Sequence, residues 1–78
     1  MELRAEVTVE PFVPGSRGPH VEAASAAARR SGAAVDVGPF GDTLTGESLA
    51  VVQAIATVLS DAFDAGATRV TVQVSTVR

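Results

Sequence analysis

Five polar side chains and two of the chain's three phenylalanines stand at strand ends and turns, where ligands are commonly met. They are Thr8, Glu10 and Phe12 early in the chain, and Phe40, Asp42, Thr43 and Thr45 near its middle. The middle group belongs to Gly38-Pro39-Phe40-Gly41-Asp42-Thr43-Leu44-Thr45-Gly46-Glu47, which holds three of the seven glycines and a dense run of uncharged hydrogen-bonding side chains. Such a set suits a flat, nitrogen-rich ring. Phenylalanine covers its face, a carboxylate accepts from an amino group, and hydroxyls satisfy the remaining ring atoms. A cationic ligand gains further from Glu6, Glu10 or Asp42.

Other chemistries lack their parts. His20 is the only histidine and stands at a helix start, where a solvent-facing role is the ordinary one. A single histidine without converging carboxylates makes no metal site, and no serine has a nucleophile-elbow setting. The absence of cysteine removes disulfides, thiolate ligands and thiol nucleophiles. Glycines 38, 41 and 46 do not form a phosphate loop, because no Lys-Ser/Thr pair follows; they read as turn residues. No metal or cofactor is expected beyond the ligand itself.

Seventy-eight residues make one domain, spanning 1–78, with a thin core. Alanine supplies much of the 46% apolar share, and neither Trp nor Tyr is present. Small domains of this kind gain stability by associating, so a homo-oligomer is expected. The formal charge of −3, with six arginines and no lysine, argues against a nucleic-acid partner, which calls for a basic face. Met1-Glu2-Leu3-Arg4 does not open a signal peptide, and no apolar run approaches the roughly 20 residues of a membrane span. A soluble, cytoplasmic protein is expected.

The elements that must position these residues follow from periodicity. Leu3, Ala5, Val7 and Val9 alternate with Glu2, Arg4, Glu6, Thr8 and Glu10, a half-buried strand ended by Pro11. A helix begins at Pro19, with Ser16 or Gly18 as its cap. Its small buried stripe is Val21, Ala24, Ala27, Ala28 and Ser31, its last turn holds Arg29 and Arg30, and Gly32 is expected at C′. A short strand covers 33–38 with Val35 and Val37 inward, and a third covers 42–45. The next helix opens at Gly46-Glu47-Ser48, with Glu47 or Ser48 as cap. Leu49, Val52, Ile55, Ala56, Leu59, Ala62 and Phe63 are read as its buried stripe, and Asp64-Ala65-Gly66 closes it. Residues 68–77 alternate again, with Val70, Val72 and Val74 on one side.

The order β-α-β-β-α-β predicts an α+β, ferredoxin-like sandwich, a four-stranded antiparallel sheet with two helices on one face. Its far face carries Glu2, Arg4, Glu6, Thr8, Glu10, Arg69, Thr71, Gln73 and Ser75, either solvated or packed between subunits. Acylphosphatase shares this order, but its chemistry needs an asparagine to position water, and the chain has none. Asp42 shares its strand parity with Leu44, so it points toward the core, where an acid is costly without a partner.

Three motifs resemble the thiamine-binding protein family, the YkoF-like group of small ferredoxin-like domains. They are Val7-Thr8-Val9-Glu10-Pro11 at the end of the first strand, the Gly38–Glu47 stretch, and an Ala-Gly-Ala-x-Arg-Val run at 65–70. Phe40 stands where that family commonly has methionine, and Asp42 where it has a small hydroxyl residue. The resemblance implies a non-enzymatic protein that binds thiamine or its hydroxymethylpyrimidine moiety for salvage, buffering or delivery. It also implies a homodimer or homotetramer assembled through sheet faces. The alternative function is an oligomeric structural or regulatory interaction module without a ligand.

Overall fold

The alternation of the first strand decides where the core lies. In a computed structural model of the protein, which describes residues 1–13, 17–38 and 41–77, β1 (Glu2–Glu10) buries Ala5, Val7 and Val9 and exposes the residues between them. The other elements follow as α1 (Pro19–Arg30), β2 (Ala34–Val37), β3 (Asp42–Glu47), α2 (Ser48–Asp64) and β4 (Arg69–Thr76). The strands form one antiparallel sheet in the order β2-β3-β1-β4. The helices pack on each other and on the face that carries Ala5, Val7 and Val9. This is the ferredoxin-like α+β arrangement that the element order predicts.

Strand register places the candidate residues. Val7 is paired with Asp42 on one side and Val72 on the other, and Glu6 with Thr43 and Gln73. The β2–β3 hairpin closes through Gly38 N donating to Gly41 O at 2.8 Å. Gly41 is required by a close approach: a Cβ there would lie 2.4 Å from the carbonyl oxygen of Val7. Gly66 serves another purpose, since its φ of 110° is the left-handed geometry that ends α2 without strain.

The helices meet through alanine. Ala24, Ala27 and Ala28 of α1 and Ala54 and Ala62 of α2 are all buried, so the two axes run close together. Two helix expectations need correction. Gly32 does not adopt the left-handed C′ conformation; Ser31 caps α1 instead, in extended geometry, with its N–H donating to Ala28 O. The buried stripe of α2 is Val51, Ala54, Val58 and Ala62, with Ile55 and Leu59 half-buried at its margin. Leu49, Val52 and Phe63, expected inside, are 65%, 54% and 48% exposed. The reason is that α2 is apolar on almost every side, so periodicity offers two stripes. The stripe with smaller residues wins because only it allows close contact with the alanines of α1 and with the sheet.

The register of α2 is open to test. Val51→Ala should lower the unfolding free energy in a urea titration by about 1–3 kcal/mol. Val52→Ala, one residue on, should change it by less than about 0.5 kcal/mol.

Candidate functional site

Asp42 opens β3 and points, as its parity with Leu44 requires, to the helix side of the sheet, where it is only 8% exposed. Its partner is Ser25, fully buried in the middle of α1, whose Oγ donates to Asp42 Oδ2 at 2.8 Å. The same Oγ accepts from Arg17 Nη2 at 2.7 Å, and Arg17 Nε donates to the carboxylate of Glu22. A relay therefore links Glu22, Arg17, Ser25 and Asp42 from surface to interior, with Arg17 donating both outward and inward. It places a guanidinium one hydroxyl away from a buried carboxylate, which offsets the cost of holding charge there.

Ser25 was not among the residues singled out from the sequence. Its signal was present: Val21, Ala24, Ser25 and Ala28 follow i, i+3, i+4, i+7 spacing, so one polar residue stands within an otherwise apolar stripe. Such a residue needs a buried partner. Arg17 ties the segment before α1 to that helix. His20 has a structural contact as well, with Nε2–H donating to the carbonyl of Pro11, which fixes the tautomer.

Around the relay lies a concavity whose walls are Val7, Val9, Phe12, Val21 and Ala24, with Arg17 and Asp42 as its charged members and Gly38 and Gly41 at its rim. Counting all its solvent-open space it measures about 300 Å³, but the room it offers a water-sized molecule is only about 20 Å³, that of a single water. Thr8 and Thr43 stand across the sheet from this concavity. They line a more open depression on the other face, about 520 Å³ counted with its mouth, together with Glu6, Val7, Gly38 and Gly41. Asp42, Gly38 and Gly41 border both.

The structure thus brings Phe12 and Asp42 together, and separately Thr8 and Thr43. Thr45 lies further along β3, paired with Arg4 and Ala34, and borders neither depression. Glu10 is half-buried at the end of β1 opposite Arg69, where its carbonyl accepts from the N–H and hydroxyl of Thr68. Phe40 falls outside the described residues. Among the described residues, no group of three or more His, Cys, Asp or Glu side chains is placed to hold a metal. None of their helices is long and apolar enough to cross a membrane.

Solved structures with this architecture include three informative ones. A Streptococcus pneumoniae protein superposes with a TM-score of 0.74 at 22% identity, over 96% of this chain and 83% of its own. A domain of unknown function, DUF77, from Bacillus cereus gives 0.71 at 22%, over 96% and 73%. A Thermotoga maritima protein assigned provisionally to thiamine biosynthesis or salvage gives 0.70 at 20%, over 96% and 81%. No protein-family model matches the sequence, and no curated protein does. At these identities the likeness establishes the shared fold.

The outer end of the relay has a pH signature. The hydrogen bond from Arg17, and then its charge, hold the Glu22 carboxyl below the usual value of 4.5. A lowered folded-state value stabilises the fold above the unfolded value, and that contribution is lost as pH falls through the folded one. Thermal melts from pH 6 down to about 3 should therefore show a smaller fall in Tm for Glu22→Gln than for the unaltered chain. Equal slopes would show that Glu22 contributes nothing.

Proposed function

We propose that this protein binds a small, flat, amino-bearing heterocycle, thiamine or its hydroxymethylpyrimidine moiety, and performs no chemistry on it. The observation that carries this reading is the buried Asp42 carboxylate in a concavity whose walls are otherwise apolar apart from Arg17, with Phe12 beside it. A carboxylate in that setting accepts from an exocyclic amino group with little competition from water, and an aromatic neighbour covers the ring. The concavity gives a water-sized molecule about 20 Å³ of room, well below the usual small-molecule site. A ring must therefore lodge in the mouth or part Phe12 from the start of β3. The provisional assignment of the Thermotoga maritima protein to thiamine biosynthesis or salvage agrees with this ligand class.

A second reading is favoured by the relay itself. Ser25 donates to Asp42, so the carboxylate is explained equally by a structural or regulatory module that binds no small molecule.

Calorimetric titration separates the two. Thiamine or hydroxymethylpyrimidine should bind with heat and raise Tm, and Asp42→Asn should weaken the affinity at least about tenfold, the loss of one charge-assisted hydrogen bond. No heat and no Tm shift with either compound at millimolar concentration would leave the ligand-free module.

A further inference from the structure

The displaced stripe of α2 leaves one flank of that helix apolar and uncovered. Arg30–Asp61 and the groove lined by Ala50, Gln53 and Thr57 mark the side that faces α1. Leu49, Val52, Ala56, Leu59 and Phe63 lie on the opposite side, toward β4, and none of them is charged. Beneath them the helix-side residues of β4 are Val70, Val72 and Val74, of which Val74 is 49% exposed although its neighbour Ala5 is fully buried. The helix pair therefore stops short of the edge of the sheet.

The edge is open too. β4 is the last strand of the sheet, and no strand among the described residues pairs with its outer side. Val77 N donates to Glu2 O at 3.0 Å, so the odd-numbered residues of β4 bond to β1 and the main-chain groups of Val70, Val72, Val74 and Thr76 point outward. Exposed edges are usually protected by lysine, proline or a bulge. β4 carries a single charge, Arg69 at its start, and neither lysine nor proline.

We propose that this edge and flank form the interface between two copies of the chain, joined by antiparallel β4–β4 pairing about a two-fold axis. The segment is self-complementary. With Val72 or Gln73 at the axis, outward main-chain groups face outward main-chain groups, the valines form a continuous row, and each Arg69 lies opposite neutral residues near the far end of the other strand. Both helix layers stay on one side of the joined sheet. Because α2 packs over β1, with β3 and β4 to either side, the two α2 helices would stand three strand spacings apart, about 14 Å. Direct helix packing needs only about 8–10 Å. The wider gap requires large side chains, and Leu49, Leu59 and Phe63 are the large residues on this helix. The interface differs from the polar sheet face considered from the sequence, whose mixed charges are well placed for water.

Light scattering on the purified chain, read with two single variants, tests this. The expected mass is twice the 7.9 kDa of one chain, or a multiple of that pair. Val74→Lys, at a position open enough for the ammonium to reach solvent in a lone subunit, should halve the mass with unchanged far-UV circular dichroism. Thr71→Arg, on the opposite face of the same strand, should leave the pair intact. A monomer at all micromolar concentrations would overturn the proposal, as would an oligomer that survives Val74→Lys or one that Thr71→Arg dissociates while Val74→Lys does not.

Discussion

One buried charge organises this small domain. β3 begins with an aspartate whose strand parity sends its side chain into the core, and the chain meets that constraint from α1 rather than from the sheet. Ser25 donates to Asp42, Arg17 donates to Ser25, and Glu22 anchors Arg17, so the charge is balanced outward along one line of hydrogen bonds. The relay also joins three parts of the chain that backbone hydrogen bonding does not: the segment leading into α1, the middle of α1, and the start of β3. It thereby fixes α1 over the end of the sheet where β1 and β3 meet. Two members of that line, Arg17 and Asp42, also line the concavity beside Phe12.

Small side chains are the second constraint. Two helices faced with alanine approach closely, and a core whose largest fully buried side chains are Leu44, Val51 and Val58 has little depth. The larger apolar residues of α2 cannot enter such a narrow space and are turned to the flank beyond β1. The thin core and the uncovered edge of the sheet are therefore one fact seen from two sides.

Much of the fold was legible in the sequence. Strict alternation in β1 and β4, Pro19 at the start of α1 and Gly66 at the end of α2 located the elements, and their order gave the topology. The inward direction of Asp42, and its need for a partner, also followed from alternation alone. The identity of the partner did not, because Ser25 lies seventeen residues away on another element and only tertiary packing brings them together. The α2 stripe was misread for a related reason. On a helix apolar nearly all round, the side that is buried depends on the size of what it packs against. Alternation likewise separates Thr8 and Thr43 from Asp42, although loop proximity had grouped them. Phe12 joins Asp42 because the chain turns back after Pro11 toward α1, a direction that composition does not encode.

Ser25 and Asp42 form one energetic unit in this account of the fold. A double-mutant cycle on unfolding free energy, with Ser25→Ala, Asp42→Asn and the pair, measures that coupling directly. If the relay holds the fold as described, the two substitutions will be non-additive by about 1–3 kcal/mol, the range for a buried hydrogen bond to a charged group. Additivity within about 0.5 kcal/mol would contradict it, and the buried carboxylate would then require another explanation.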